Sequence, residues 1–392
     1  SIFQLNCGCK ALRIVLASDW HPLSIGGIQS HIRYLARFLK NYGLEVYVIS
    51  RKTNKIAKES FNTIDNCECV FVDPILPLNI ILIPPRRSEL EKVICEIQPD
   101  IIHSHHAFTP LSLLSLEIAR KNNIPRVLTN HSITLGYEYS CLWKSSSLFL
   151  MPLRQLLSST NVVISVSKAA DKFISNFLKN TVKRLIIPNG VDVEKYKPLK
   201  NSPEKPVVLF IGRLVHRKGV HLLLKAFRDV TSEVPEARLL IVGKGYMEPV
   251  LKSMVSVLDL KKNVVFKGLV SEEEKICLLQ NSMVVAVPSI YGESFGIVAA
   301  EAFATGTPVV SFKVGGLAEI ADHGVNGFLA NIGNLKMFAE YLVTLLLDKK
   351  LRKKMSENAR SKAEKEYSWK IISEKIYRVY LALHSEERIS PT

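Results

Sequence analysis

One pattern constrains the fold of this chain more than any other: a short apolar strand runs into a glycine loop and then into a helix. Leu12 to Ser18 forms such a strand, Gly26 and Gly27 close the loop, and apolar residues at helical spacing follow. The same pattern starts again with the strand Val207 to Ile211 and the loop 212–219. Repeated units of this kind are typical of doubly wound parallel sheets. The sequence therefore predicts an α/β fold with two Rossmann-like domains in tandem.

The length and composition of the chain agree with two domains. The chain has 392 residues, which is enough for two or three domains of ordinary size. Residues 198–206 hold three Pro and two Lys and have the composition of a linker. We therefore expect a first domain over residues 1–197, a linker over 198–206 and a second domain that begins at residue 207.

The charge of the chain favours an anionic partner. The formal net charge is +16, and residues 1–200 hold 25 Lys and Arg against 15 Asp and Glu, whereas residues 201–392 hold 27 against 21. A basic surface attracts nucleic acid, membrane lipid or phosphorylated ligands, although it can also serve solubility alone. The aromatic residues are spread through apparent cores and are not interleaved with arginines, so we expect no nucleic-acid partner.

Apolar runs and cysteines indicate where in the cell the protein is located. No apolar run reaches the ~18 residues of a membrane-spanning helix, and Ile75 to Pro85 is short and interrupted by prolines. The first residues lack the pattern of a signal peptide. The seven cysteines include two Cys-x-Cys pairs, Cys7/Cys9 and Cys67/Cys69, without a zinc-binding pattern downstream. We expect free thiols and a cytoplasmic location.

Two glutamates stand out in the stretch 286–301. Met283 to Val287 is predicted to be a buried strand, and a helix is predicted over Phe295 to Ala304. Glu293 ends the loop between them, and Glu301 lies within the apolar helix. A buried carboxylate without a partner is expensive. Glu301 should therefore have a partner, and a pair of ligand hydroxyls or a lysine would both serve.

Charged and histidine side chains follow other predicted strands. Arg213 and Lys218 flank the glycine loop after residue 211, where forked and point cations next to backbone N–H donors suit a pyrophosphate. His103, His105, His106 and His131 are expected to gather at strand ends. A metal cluster is conceivable there, but no carboxylate or cysteine spacing supports it, so we predict no metal site.

Six motifs in order carry a specific resemblance. Gly26-Gly27 and Pro188-Asn-Gly-Val-Asp192 precede Gly212-Arg213-(x4)-Lys218-Gly219, Gly243-x-Gly245, Glu293-(x7)-Glu301 and Gly315-Gly316-x-x-Glu319. Together they closely resemble family 4 of the retaining glycosyltransferases, which have the GT-B fold, over nearly the whole chain. The first-half stretches Gly26–His31, Ile101–His106 and Thr129–Ser132 look most like the N-acetylglucosaminyltransferase that starts glycosylphosphatidylinositol anchors, with phosphatidylinositol mannosyltransferases next.

The resemblance implies roles for particular residues. Gly26, Gly27, Arg213 and Lys218 would contact the donor diphosphate, and Gly243, Val270 and Glu301 would bind the nucleotide, Glu301 through the ribose hydroxyls. His131 and Glu293 would be the catalytic residues beside the donor sugar, whose loop would be Ser294, Phe295 and Gly296. The family usually has Asp after the histidine, and here Ser132 stands at that position.

The resemblance also implies an architecture and a chemistry. The two domains would face each other across a cleft, with nucleotide-sugar binding in residues 207–365, acceptor binding in 1–197, and a C-terminal helix, 366–392, that crosses back to the first domain. Transfer would be retaining, with no cofactor and no metal, because the sequence has no Asp-x-Asp motif.

The expected donor is a UDP-linked nucleotide-sugar that carries GlcNAc or a hexose. The expected acceptor is a phosphatidylinositol-like lipid on an anionic membrane face, which would make the protein peripheral at the inner face of the membrane. Residues 142–158 have the composition of an interfacial helix or, alternatively, of a core helix. A soluble sugar or sugar-phosphate acceptor, or an epimerase of the same fold, are the alternatives.

Overall fold

The computed structural model describes residues 11–22, 26–52, 63–64, 67–76, 83–133, 151–200 and 203–389. The chain forms two compact units. Unit 1 comprises Ser1–Ser165, Phe173–Ile187 and Ser373–Thr392, and unit 2 comprises Val166–Lys172 and Pro188–Ile372. Both are built on a parallel sheet, so the predicted pair of Rossmann-like domains is confirmed.

Unit 1 is organised around a sheet of eight strands. Its strands are β1 (Arg13–Ser18), β2 (Glu45–Arg51), β3 (Thr63–Ile64), β4 (Cys67–Val72), β5 (Ile101–His105), β6 (Arg126–Asn130), β7 (Val162–Ser165) and β8 (Lys183–Ile186). The strand order is β3-β4-β2-β1-β5-β6-β7-β8, and only the short edge pair β3–β4 is antiparallel among the described strands. The helices that follow these strands are α1 (Gly27–Lys40), α2 (Arg87–Ile97), α3 (Pro110–Lys121), α4 (Met151–Ser158) and α5 (Lys168–Ser175).

Unit 2 has a six-stranded sheet with the order β11-β10-β9-β12-β13-β14. Its strands are β9 (Val207–Ile211), β10 (Arg238–Val242), β11 (Val264–Gly268), β12 (Val284–Val287), β13 (Val309–Phe312) and β14 (Gly327–Ala330). Its helices are α6 (Val220–Glu233), α7 (Glu248–Val257), α8 (Glu272–Gln280), α9 (Ile297–Ala304), α10 (Leu317–Ile320), α11 (Leu335–Leu347) and α12 (Lys349–Lys362). The helix α13 (Trp369–Ile389) begins in unit 2 and continues in unit 1.

Apolar runs on both faces explain why these strands lie inside each unit. Strand β1 buries Ile14 to Ala17 completely, and β9 buries Val208 to Phe210, because helices cover both faces of a parallel sheet. In both sheets the first strand has neighbours on either side that come from different parts of the sequence. The carboxyl ends of β1 and β5 in unit 1, and of β9 and β12 in unit 2, therefore form the points where ligands of such folds bind.

The units do not end where the sequence-based domain boundaries were drawn. The chain leaves unit 1 after Ile187 and returns to it at Ser373, whereas the boundaries drawn from sequence are 197 and 365. Residues 166–172 also belong to unit 2, although they lie within the predicted first domain. No local change in composition marks the unit boundaries. Two of them lie inside the helices α5 and α13, one lies just before α5, and one lies next to Pro188.

Several details bear on the membrane and cysteine expectations. Among the described residues, no helix has both the length and the apolar content needed to cross a membrane. Helix α4 buries Leu157 in the core of unit 1, as expected for a core helix, while residues 142–150 lie outside the described residues. The four cysteines in the described part of the chain, Cys67, Cys69, Cys95 and Cys277, are free thiols, whereas Cys7 and Cys9 lie outside it.

Candidate active site

In unit 2, the loops after β9 and β12 touch each other because one residue has no side chain. Gly219 has φ of 68°, in the left-handed region that favours glycine, and it precedes α6. A Cβ atom at this position would lie 1.9 Å from the carbonyl oxygen of Pro288. Glycine therefore permits the contact that brings the basic loop after β9 beside the loop that carries Glu293.

Lys218 and Glu293 form an ion pair at this contact. The Nζ atom of Lys218 lies 2.6 Å from Oε2 of Glu293, and the two side chains are only 17% and 12% exposed. Ser289 Oγ donates a second hydrogen bond to the same oxygen at 2.8 Å. Burial alone would raise the pKa of Glu293, but the Lys218 ammonium, the two hydrogen bonds and the nearby Arg217 charge outweigh it and lower the pKa. Glu293 is therefore held as a carboxylate.

Glu301 also has a lysine partner, which answers the question left open by the sequence. Lys275 Nζ, on α8, lies 2.7 Å from Oε1 of Glu301, and the Tyr196 hydroxyl donates to the same oxygen at 3.4 Å. The second oxygen, Oε2, is buried and has no hydrogen-bond partner among the described residues. An unmade bond of this kind costs about 1–3 kcal/mol. The carboxylate is thus fixed by one oxygen and has acceptor capacity left on the other.

Sequence reasoning missed the residues that hold Glu301. Lys275 lies over the Tyr196 ring at 5.1 Å, and the Tyr196 hydroxyl also donates to Glu272 at 3.2 Å. Lys195 pairs with the other oxygen of Glu272 at 2.7 Å. Lys275 is 26 positions from Glu301, and nothing in the acidic start of its helix distinguishes it from a solvated lysine, so no local signal could have found it.

The other predicted nucleotide-site residues occupy loops of unit 2. Arg213 is exposed in the loop after β9, and Val270 is half-buried just before α8. Gly243 follows β10 with φ of 130°, and a Cβ atom there would lie 1.9 Å from the carbonyl oxygen of Gly212. The glycine loops after β9 and β10 are therefore in direct contact.

Two contacts hold the predicted donor-sugar loop in place. The carbonyl oxygen of Ser294 accepts a hydrogen bond from Ser167 Oγ at 2.6 Å. The Phe295 side chain is buried and packs edge-on against Tyr367, with ring centroids 5.5 Å apart, so it supports the loop from within the core. Gly296, with φ of 98°, precedes α9, which begins at Ile297, two residues later than predicted.

Glu319, the last residue of the Gly315-Gly316-x-x-Glu319 motif, caps a helix. Its two carboxylate oxygens accept hydrogen bonds from the backbone N–H groups of Lys168 at 2.8 Å and Ala169 at 2.9 Å. These groups begin helix α5, where a negative charge is favourable. The motif therefore fixes the residues 166–172 to the rest of unit 2.

In unit 1, the histidines gather at the ends of β5 and β6, but His103 does not lie at a strand end as expected. Strand β5 continues to His105, so His103 is inside the strand and fully buried. Its Nδ1 lies 2.6 Å from the Tyr380 hydroxyl of α13, and its Nε2 lies 2.7 Å from Thr129 Oγ1. The sequence ends the apolar part of this strand at Ile102, and the polar residues Ser104 and His105 do not show that the strand continues.

Three further histidines lie beside His103. His105 stacks on His103 with ring centroids 4.3 Å apart, and its Nδ1 lies 3.4 Å from Nε2 of His131. The ring of His31, on α1, lies 4.9 Å from the ring of His131. Burial, reinforced by the neighbouring histidines, lowers the pKa of His103 to about 3 and holds the pKa values of His105 and His131 well below their usual range. These rings are therefore neutral at neutral pH.

Ser132, which stands where the resembled family usually has Asp, is bonded to His106. The Phe108 N–H donates to His106 Nδ1 at 3.3 Å, so the proton is on Nε2, which lies 2.7 Å from Ser132 Oγ. Burial lowers the pKa of His106 to about 4. The Ser132 hydroxyl oxygen therefore accepts a hydrogen bond from the neutral His106 ring.

Helix α1 in unit 1 begins at the predicted glycine pair. Gly27 is its first residue, and the carbonyl oxygen of Gly26 accepts from Ser30 N at 3.1 Å. His31 is the fifth residue of this helix, and its ring lies beside that of His131. Gly26, Gly27 and His131 thus belong to unit 1, whereas all the other predicted site residues belong to unit 2.

Comparisons with known proteins match both halves of the chain. Residues 25–195 match the family model described as Glycosyltransferase Family 4, and residues 192–362 match Glycosyl transferases group 1. The phosphatidyl-myo-inositol mannosyltransferase of Mycolicibacterium smegmatis is 31% identical over 366 residues, which cover 91% of this chain and 90% of that protein.

Solved structures have the same fold. Sucrose-phosphate synthase from Thermosynechococcus elongatus superposes with a TM-score of 0.81 at 20% identity, over 96% of this chain and 100% of that one. HepE of Anabaena in complex with UDP-glucose superposes with a TM-score of 0.77 at 22% identity, over 95% and 100%. Each structure spans both units of the chain, and the fold predicted from the sequence is confirmed.

Proposed function

The chain belongs to glycosyltransferase family 4 and has the GT-B fold, and on that basis we propose a specific reaction for it. It transfers a GlcNAc or hexose residue from a UDP-linked donor to a phosphatidylinositol-type lipid, with retention of the anomeric configuration. The observation that carries the donor part is the buried carboxylate of Glu301, fixed through one oxygen with the other unbonded among the described residues.

Glu301 has the form of a receptor for two hydroxyl groups. A ribose offers vicinal hydroxyls, and a carboxylate accepts hydrogen bonds from both. Lys275 and Tyr196 prevent the carboxylate from turning away, so the geometry exists before the donor arrives. Support for uridine as the base comes from HepE, a protein of the same fold that was solved with UDP-glucose. Val270 and Gly243 remain the proposed contacts to the base side of the nucleotide.

The leaving diphosphate is assigned to Arg213 and Lys218. Both cations follow β9 in a loop that begins with Gly212 and ends at the N-terminus of α6, which favours an anion. The sequence has no Asp-x-Asp motif that would hold a divalent ion next to the diphosphate. We therefore assign the stabilisation of the leaving group to these cations and to backbone N–H groups. Gly26 and Gly27 are the proposed diphosphate contacts of unit 1.

Glu293 and His131 are assigned to the sugar. Because its pKa is lowered, Glu293 is a carboxylate that can stabilise the positive charge that develops at the anomeric carbon. His131 is a neutral imidazole that can donate a hydrogen bond to a sugar hydroxyl. The retaining step is assigned to attack from the face that the diphosphate leaves, with a diphosphate oxygen accepting the acceptor proton. The loop 294–296 surrounds the sugar in this proposal.

The acceptor is assigned from the relatives and the charge. The mycobacterial mannosyltransferase, whose name specifies phosphatidyl-myo-inositol, is the relative with 31% identity, and the first 200 residues of this chain carry most of its excess positive charge. Lys and Arg side chains near an anionic membrane contribute about 1 kcal/mol each. A soluble sugar phosphate is the competing acceptor, because it presents the same anionic group.

The donor assignment is tested by calorimetry with UDP, UDP-glucose, UDP-GlcNAc and GDP-mannose on the full chain. Glu301→Gln keeps the shape of the side chain and should weaken the preferred nucleotide by about 1.5–3 kcal/mol, the value of a hydrogen bond to a charged group. Glu340→Gln, an exposed glutamate on α11, is the matched control and should bind as the wild type does. Unchanged affinity in Glu301→Gln would refute the ribose assignment.

The acceptor assignment is tested with liposomes that contain phosphatidylinositol, phosphatidylserine or phosphatidylcholine alone, and with soluble inositol phosphate. Sugar transfer to phosphatidylinositol, with a product whose anomeric configuration equals that of the donor by NMR, is the expected result. Transfer to inositol phosphate alone would replace the lipid with the soluble acceptor. Release of free sugar and nucleotide with no acceptor dependence would favour an epimerase or hydrolase instead.

A further inference from the structure

We propose that His31, His105 and His131 form a binding site for a divalent transition-metal ion of the zinc class in unit 1. The three side chains come from α1, the end of β5 and the residue after β6, and all three are buried. One ligand atom from each ring lies within 4.8 Å of the others. This inference does not depend on the proposed reaction, although it shares His131 with it.

The distances suit tetrahedral coordination after a small adjustment. Zinc binds imidazole nitrogen at about 2.0–2.1 Å, so two tetrahedral nitrogen ligands are about 3.3 Å apart. Nδ1 of His105 and Nε2 of His131 are already 3.4 Å apart. The ligand nitrogen of His31 lies within 4.8 Å of the other two, so it has to move closer to reach the ion. Rotation of the His31 ring about its side-chain bonds provides this movement.

The chemistry of the three ligands selects the ion. Imidazole nitrogen binds zinc, copper, nickel and cobalt, whereas magnesium and calcium require oxygen ligands. The cluster consists of three histidines, so it offers no oxygen ligand for magnesium or calcium.

The neighbouring His103 is excluded as a fourth ligand. Both of its ring nitrogens already have partners, the Tyr380 hydroxyl at 2.6 Å and Thr129 Oγ1 at 2.7 Å. His103 instead stacks on His105 and limits the orientations that the His105 ring can adopt. Three protein ligands leave one position of a tetrahedral ion for water or another small oxygen ligand.

From the sequence we predicted no metal site among the histidines expected at the strand ends, and His31 was not one of them. The three ligands are separated along the chain by 74 and 26 residues and follow no zinc spacing. The sheet order brings them together, since β1 and β5 are neighbours and α1 follows β1. Arg213 and Lys218, the cations proposed for the donor diphosphate, belong to unit 2, and the proposal gives this ion no part in the stabilisation of the leaving group.

The experiment uses the full chain after treatment with a chelator, titrated with Co²⁺ and followed by the visible absorption of tetrahedral cobalt, and then with Zn²⁺ by calorimetry. We expect one ion per chain. His31→Gln and His131→Gln should each weaken binding by at least ~100-fold, the upper end of the loss seen when only an outer hydrogen-bond partner of a ligand is removed. His323→Gln, in unit 2, is the matched control and should bind as the wild type does.

Two results would overturn the proposal. One is no stoichiometric binding of either ion to the wild type, and the other is unchanged binding in His31→Gln and His131→Gln. Circular dichroism checks that both variants are folded. X-ray absorption on the zinc-loaded wild type needs no variant: three imidazole ligands at about 2.0–2.1 Å support the site, and a spectrum without imidazole refutes it.

Discussion

Replacing Lys218 by Met should destabilise the protein, even though Lys218 lies in a 3₁₀ helix of only three residues, His216–Lys218. The substitution keeps most of the aliphatic stem but removes the ammonium 2.6 Å from Glu293. Glu293 would then be a buried carboxylate with the Ser289 hydroxyl as its remaining hydrogen-bond donor. Breaking a buried ion pair from one side costs about 3–5 kcal/mol. Because the two side chains retain 17% and 12% exposure, we expect the lower end, about 3 kcal/mol.

The loss of stability in Lys218→Met should depend on pH in a defined direction. In the wild type the pKa of Glu293 is lowered, so the pair stabilises the fold above the ordinary carboxyl pKa of 4.5, and this contribution is lost as the pH falls through the lowered value. In Lys218→Met, burial dominates and raises the pKa of Glu293, so the carboxyl takes up a proton in the folded state first. The stability difference between the two proteins should therefore shrink as the pH falls from 7 toward 4.

The assay is urea unfolding followed by circular dichroism at several pH values, for Lys218→Met, Glu293→Gln and the double variant. The double variant should be more stable than the sum of the two single losses predicts, since neither then leaves a charge behind. Lys262→Met, at an exposed position, is the matched control and should change stability by less than about 0.5 kcal/mol. A loss in Lys218→Met no larger than in this control, or one that does not change with pH, would refute the reasoning.

Three further predictions concern catalysis, metal and the core. Glu293→Gln should lower kcat much more than donor affinity, because the charge of Glu293 acts at the transition state. A variant with weaker donor binding and unchanged kcat would mean that the roles of Glu293 and Glu301 are exchanged. Activity should survive excess EDTA, and rescue by Mg²⁺ or Mn²⁺ after a loss would contradict the assignment of the diphosphate to Arg213 and Lys218. Tyr380→Phe leaves His103 Nδ1 unbonded in the core and should cost about 1–3 kcal/mol in urea unfolding, whereas Tyr377→Phe should cost little.

The sequence predicts the sheets well because their signals are local. Helix α3 begins at Pro110, a residue favoured at the start of a helix, the predicted strand from Leu12 differs from β1 by one residue, and the predicted strand Val207 to Ile211 matches β9. Apolar runs, glycine loops and proline starts each act within a few residues of the element that they specify. The short edge strand β3 and the helix α2 were not predicted, since neither has a strong apolar pattern or a glycine loop before it.

The site was only partly predictable because its supports are distant in sequence. Glu293 and Glu301 stand out, since a carboxylate near apolar residues is unusual over a short window. Lys275 and Tyr196, which hold Glu301, come from other elements, and only the folded sheet brings them near. The roles assigned to Arg213 and the other predicted site residues stay predictions until donor binding is measured.

The hydrogen bond between Tyr380 and His103 has a consequence for how the protein folds during its synthesis. His103 lies in a strand near the start of the chain, whereas Tyr380 follows all of unit 2 in the order of synthesis. While unit 2 is still emerging from the ribosome, the His103 imidazole has no hydroxyl from α13 and the surface that Tyr380 will cover is open. Until residues 373–392 have been synthesised, unit 1 lacks part of its packed structure. A nascent chain arrested before residue 373 should therefore be bound by chaperones and cut by proteases more readily than the complete chain.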